Sequence, residues 1–183
     1  MKINASTLII ILMACIELLL VVVHGNIRAD DCSADWYGPQ AWKRDRDIPS
    51  ISLGSPGDFD DTHIFAPCVA FENNIFSMWY CGSRGKNKLP LYELGMATSK
   101  DGVNFIKHPQ APVLSLADKK CSILTPTLLR YPNGSVCREN RKLRMWFSSL
   151  TVRSGKALYA LHDTTSVDGL SWTTPSDAQL KNV

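Results

Sequence analysis

A 67-residue internal repeat constrains this chain more than any other feature. Met78-Trp79-Tyr80-Cys81 returns as Met145-Trp146-Phe147-Ser148, and Ser99-Lys100-Asp101-Gly102 returns as Ser166-Val167-Asp168-Gly169. Each pair is 67 positions apart, so two separate motifs keep one spacing. Ala66-Pro67 answers Thr125-Pro126 at a shorter distance, which places eight additional residues of the second copy in its first hairpin, around Tyr131–Gly134 and Glu139–Arg141. Insertions confined to a loop while strand motifs stay in phase mark a repeated supersecondary unit.

Within each copy, short apolar stretches alternate with turn signals. Strands are expected at His63–Phe71, Ile75–Gly82, Leu91–Ser99 and Asn104–Lys107, and again at Ser122–Arg130, Leu143–Leu150, Ala157–Ser166 and Leu170–Trp172. The Asp-Gly pairs turn the chain, because glycine tolerates the positive φ such turns require. The Ser and Asp side chains of these turns can bond nearby backbone N–H groups, a structural role rather than a catalytic one. The matching aromatics (Trp79 and Trp146, Phe105 and Trp172) read as packing between neighbouring units. No stretch of the repeats carries a helical period. Four antiparallel strands per repeat describe a β-propeller blade.

The first 29 residues read differently. Lys2 precedes an apolar run from Leu8 to Val23, followed by small residues at Gly25 and Ala29, the pattern of a secretory signal peptide. An uncleaved N-terminal membrane anchor is the alternative, although the run is short of the ~20 residues a spanning helix prefers. The expected division is therefore 1–29 signal peptide, 30–57 an irregular N-terminal arm, 58–115 a first blade, and 116–183 a second blade with the start of a third. The protein is expected to be secreted or periplasmic, with no lasting membrane association after cleavage.

Export bears on the cysteines. Beyond Cys15 in the leader there are five: Cys32, Cys68, Cys81, Cys121 and Cys137. An oxidising compartment would allow one or two disulfides, whereas Cys68 and Cys81 also suit buried strand positions as small apolar residues. No spacing suggests zinc. The net charge of +3 is small, and its densest basic group, Arg138, Arg141, Lys142 and Arg144, is interrupted by Glu139 at a hairpin. That group reads as a solvated hairpin tip, and nothing in the pattern points to nucleic acid.

The inner-strand Pro, the "MWYCG" strand and the closing "ATSKDGVNF" together resemble the five-bladed propeller superfamily of arabinanases, β-xylosidases, invertases, levansucrases and β-mannoside phosphorylases. The likeness runs from about Asp58 to Trp172, two blades' worth. Sialidases are a rival, but their Asp boxes place an extra residue between Asp and Gly. The resemblance implies an all-β, partial propeller with two four-stranded blades, and a sugar site in a funnel at the propeller axis, lined by the first strand of each blade. Hydrolases of this type work with paired carboxylates. In many relatives an Asp directly precedes the inner-strand Pro; here those places hold Ala66 and Thr125.

The acidic cluster nearest the first strand is Asp58-Phe59-Asp60-Asp61-Thr62-His63. Alternation would send Asp61 and His63 to one side and Asp60 to the other. Asp61 is the first candidate for a base or sugar-hydroxyl acceptor and Asp60 the second, since neighbouring carboxylates raise one another's pKa. His63, Arg84 and Asp58 are candidate substrate contacts. The alternative for the cluster is a solvated acidic turn or a structural calcium site; no organic cofactor is expected. Two functions follow as expectations: a secreted glycan-active protein that cleaves or transfers glycosidic bonds, or a carbohydrate-binding or scaffold propeller without that chemistry. Oligo- or polysaccharide is the expected partner in either case. Two blades do not close a ring, so the chain is expected to be a shortened and inactive form of a longer enzyme or to associate with further blades.

Overall fold

The computed structural model describes residues 41, 43–44, 46–86, 88–175 and 180–181. The leader-like run and the early aromatics Trp36, Tyr37 and Trp42 lie outside them. Among the described residues no helix is long and apolar enough to cross a membrane. The few described residues before Ile48 carry no strand or helix, and everything below concerns the unit that begins there.

That unit is all-β. Blade 1 is a four-stranded antiparallel sheet in the order β1 (His63–Glu72), β2 (Ile75–Ser83), β3 (Glu93–Ser99) and β4 (Ile106–Lys107). Blade 2 follows with β5 (Cys121–Leu128), β6 (Arg138–Glu139), β7 (Lys142–Arg153), β8 (Lys156–Ser166) and β9 (Leu180–Lys181), ordered β5-β7-β8-β9, with β6 paired to β7. One 3-10 turn, Ala117–Lys119, leads into β5. The strands thus fall where alternation and turn chemistry place them, with one correction. Leu170–Trp172 is not the fourth strand of blade 2: it contributes a single bridge, Ser166 to Trp172, and the edge is formed by Leu180–Lys181 against Ala160–Leu161. The Asp168 turn accounts for this, because it commits the N–H groups of Leu170 and Ser171 to the carboxylate rather than to a ladder. The extra residues of the second copy do lie in its first hairpin, where they form β6 and the bridge from Arg130 to Val136.

The two sheets meet along β1 and β5, with β2 and β3 also against β5. Alternation in β2 sends Trp79 and Cys81 to one face and Met78 and Tyr80 to the other. The Trp79 face, with Leu94 and Met96, packs on Leu143, Met145 and Phe147 of blade 2 to form the main core. Trp79 is 2% exposed; its indole N–H donates to the Gly169 carbonyl at 2.8 Å, and its ring meets Trp172 edge-on at 6.2 Å. A Cβ on Gly169 would lie 2.6 Å from the Trp79 ring, so this turn needs glycine for close approach as well as for its φ of +78°. The other face of blade 1 is covered by its own N-terminal strap, through Ile51 and Phe59. Phe59 passes so close to β3 that a Cβ on Gly95 would lie 2.5 Å from its ring.

Polar contacts add a second seam. The Ile123 N–H donates to the Tyr92 carbonyl at 2.9 Å. Arg130 donates to the Val69 carbonyl. Arg138 forks onto both carboxylate oxygens of Glu72 at 3.1 and 2.8 Å. The basic hairpin is therefore not simply a solvated tip: Arg138 ties blade 2 to blade 1, and Arg144 lies over the Trp146 ring with Glu139 and Asp163 as its ion-pair partners. Cys68, Cys81, Cys121 and Cys137 are all free thiols, the first three buried, so no disulfide forms among the described residues.

Candidate functional site

The two Ser-x-Asp-Gly turns are equivalent in detail. Asp101 accepts the N–H groups of Val103 and Asn104, and Asp168 those of Leu170 and Ser171, all at 2.8–2.9 Å. Each serine hydroxyl bonds its aspartate and accepts the following glycine N–H. The Ser171 and Leu170 N–H groups hold Asp168 down at about 2, and those around Asp101, Asn104 foremost, lower that carboxyl too. Both aspartates are turn staples.

The acidic cluster does not converge on one point. It forms turns ahead of β1 rather than the strand itself. Asp60 faces inward, 1% exposed, accepting the Tyr80 hydroxyl at 2.9 Å and pairing with Lys107 at 2.5 Å. Burial first, then the Asp60 charge, raises the Tyr80 phenol above its ordinary value. Asp58 is exposed and accepts the Ser55 N–H at 2.8 Å. Asp61 accepts the Gly57 N–H, the Gly85 N–H and the Thr62 hydroxyl at 2.7–2.8 Å. These bonds, Gly57 foremost, lower its pKa, so it is ionised but weakly basic. Among the described residues no group of three or more His, Cys, Asp or Glu is placed to hold a metal ion.

Three of the candidates do gather at one end of blade 1. Asp61 is bonded to the loop that carries Arg84. His63, exposed, lies 3.1 Å from the Ser83 hydroxyl through Nδ1. Arg84 reaches Glu93 at 3.3 Å. Asp60 leaves this group for the strap side, and Asp58 stays in its own turn. Beside them Tyr92 sits 6.2 Å from the His63 ring and 4.8 Å, edge-on, from Phe65. Two hollows open here. One, of about 290 Å³, is lined by Arg84, Leu89, Leu91, Glu93 and Ala117. The other, of about 500 Å³, lies between the blades and is lined by Tyr92, Ser122, Leu150 and Val152 with the 89–91 loop and Lys120.

The most unusual backbone lies between these features. Ala66 (φ 51°) and Thr125 (φ 45°) are left-handed, each directly before a proline, and each at a register shift in its strand. A β-branched residue rarely tolerates this region, and strain of this kind, costing about 1–3 kcal/mol, clusters at functional sites. It occurs at the same point of both inner strands. The Thr125 hydroxyl lies 2.6 Å from that of Ser148. Cys81 stands at the matching point of blade 1; burial pushes its thiol up to about 12, outweighing a hydrogen bond from the Thr125 backbone. No sequence signal announces these left-handed residues, because a following proline favours extended backbone before it. Phe65 and Tyr92 had none, since isolated strand aromatics read as core.

Comparison with known proteins agrees with this architecture. No family model matches the chain, and no curated protein matches it significantly. Among solved structures it is similar to the Bombyx mori GH32 β-fructofuranosidase, at 16% identity and a TM-score of 0.52, over 68% of this chain and 24% of that one. It is also similar to a family 117 glycoside hydrolase of Zobellia galactanivorans (18% identity, TM-score 0.45, 70% and 31% covered). The α-L-arabinofuranosidase of Podospora anserina is a third (16%, 0.43, 70% and 35%). The first of these carries the fold, part of a β-propeller, and the chain spans about a quarter of that enzyme's length.

Proposed function

We propose that this protein recognises an oligo- or polysaccharide without cleaving it, at the end of the blades where Phe65, Tyr92, Arg84 and Thr125 stand. One observation carries the reading: the two strained inner-strand positions, the places best set to aim a side chain at the hub, hold a methyl group (Ala66) and a hydroxyl (Thr125). Two-carboxylate hydrolysis needs an acid and a base facing one bond across about 5–9.5 Å. The acids of the nearby cluster, Asp58, Asp60 and Asp61, each accept from protein donors instead. Aromatic rings beside hydroxyl, guanidinium and carboxylate groups suit a sugar's mixed apolar and hydroxylated faces. Calorimetric titration of the full chain with plant and algal oligosaccharides should show binding that Tyr92→Ala abolishes, and no product. Release of reducing sugar would overturn it.

A second reading keeps hydrolysis, with Asp61 as base or hydroxyl acceptor, Asp60 in support, and His63, Arg84 and Asp58 contacting substrate. Ionised Asp61 beside the Arg84 loop favours it. Asp61→Asn should then remove turnover while leaving binding intact. We further propose export through residues 1–29; amino-terminal sequencing of the secreted product, beginning near Asn26 or Asp30, is the check.

A further inference from the structure

The larger hollow, between the blades, has apolar walls held in a fixed form. Leu150 and Val152, two apart on β7, point to one side of that strand and line it from blade 2. Leu89, Leu91 and Tyr92 line it from the segment ahead of β3. That segment is tied to β5: the Tyr92 N–H donates to the Ser122 hydroxyl at 3.2 Å, and this hydroxyl donates to the Pro90 carbonyl at 3.4 Å. The Ile123 N–H donates to the Tyr92 carbonyl at 2.9 Å. Ser122 is 2% exposed and its one O–H is taken up by Pro90, so it adds no free donor to the wall. The hollow is therefore preformed, and its volume of about 500 Å³ is that of a small-molecule site.

Its charge is one-sided. Lys120 is the one charged residue of the lining, and no aspartate or glutamate joins it. Asp118 and Lys119, on the same turn, do not line the hollow. Lys120 makes no ion pair among the described residues. The smaller hollow, which shares Leu89 and Leu91, differs: there Arg84 is matched by Glu93 at 3.3 Å. The 3-10 turn fixes the place of Lys120, which closes it at a φ of 52° and donates its N–H to the Ala117 carbonyl at 2.9 Å. Such a left-handed closing position favours glycine; lysine there adds a cation at the edge of an apolar space.

We propose that this hollow binds a small aryl carboxylic acid, its ring held between the 89–92 segment and β7 and its carboxylate on Lys120. Burial of the ring against Leu91, Tyr92, Leu150 and Val152 supplies the affinity, and the lone ammonium sets the orientation. An amine would be repelled by Lys120, and a polyol would bury its hydroxyl groups against leucine and valine without partners. Tyr92 also stands at the proposed saccharide end, but the inference does not rest on saccharide binding.

The probes are hydrocinnamate, hydrocinnamyl alcohol and phenylpropylamine, added at low salt to the full chain with its Leu and Val methyl groups isotope-labelled for NMR. Hydrocinnamate should shift the methyls of Leu89, Leu91, Leu150 and Val152 with a dissociation constant below about 1 mM. It should bind about threefold tighter than the alcohol, with the amine weakest. Lys120→Gln should bring the acid to the alcohol's affinity and leave the alcohol unchanged. Val152→Trp fills the hollow from a 38%-exposed position and should weaken acid and alcohol alike by about tenfold. Leu89→Asp, at a 65%-exposed position, should also weaken both and serves if Val152→Trp does not fold. No shift at these methyls, equal affinity for the three probes, a Lys120→Gln chain that still prefers the acid, or binding that survives both wall substitutions overturns the proposal. The readout contains no sugar, so its failure is distinct from failure of the oligosaccharide titration.

Discussion

Trp79 and Trp146 stand at the same point of two repeats, yet one is core and the other surface. Trp79 faces Met96 across the ladder, is 2% exposed, and donates to a neighbouring blade. Trp146 faces Asp163 across the ladder, is half-buried, and lies under a guanidinium 5.0 Å from its ring centre. Position in the repeat fixes where each ring points. What stands opposite it decides what the ring is worth. An apolar partner and a carbonyl acceptor turn one indole into the seam of the molecule, whereas an Arg–Asp pair leaves the other wettable.

The comparison breaks most readily by truncation. Trp79→Ala should cost about 3–5 kcal/mol in urea unfolding, the range for an aromatic removed from a packed core. Trp146→Ala should cost at most about 1 kcal/mol, since a partly exposed cation–π contact is all that is lost. Equal losses would mean that the two faces are not distinguished as described. Next in size is Gly169→Ala, which combines a left-handed φ with a clash on Trp79 and should cost about 2–4 kcal/mol. Gly102→Ala shares the φ but meets Phe76 only at 3.1–3.3 Å, and should cost about 1–2 kcal/mol. Thermal unfolding of the pair separates backbone strain from blade contact.

Much of this was legible in the sequence because it rests on local chemistry repeated twice. The strands, the Asp-Gly turns and the insertion site follow from periodicity and from Ser and Asp side chains that bond their own backbone. The edge strand of blade 2 was not legible. Leu170-Ser171-Trp172 has the composition of a strand, but the Asp168 staple takes its N–H groups first. Cross-blade pairing of Arg138 with Glu72 joins residues 66 positions apart, and no local pattern announces it. At the candidate site, the joining of Asp61 to the Arg84 loop and the placing of Asp60 on the opposite side both follow from the turn ahead of β1. The left-handed Ala66 and Thr125 do not, because residue type argues against that conformation and tertiary packing enforces it.

Smaller effects sharpen the picture. Arg138→Ala removes a partly exposed fork on Glu72 and should cost about 0.5–1 kcal/mol, less in high salt. In acid, the two turn aspartates give a signed prediction. Their folded pKa values are depressed, so the stability they contribute is fully present above the unfolded carboxylate value near 4 and is lost as pH falls towards about 2. Asp168→Asn should flatten that part of the pH–stability curve; a curve unchanged in slope would remove the aspartate from its assigned role.

Hydrogen exchange at the two indole N–H groups, followed in one sample by NMR, tests the central geometry most directly. Trp79 should exchange only with unfolding and show a cross-peak to the Gly169–Trp172 turn, while Trp146 exchanges quickly with no such cross-peak. Comparable exchange at both, or a Trp79 without contact to that turn, would contradict the packing of blade 1 on blade 2.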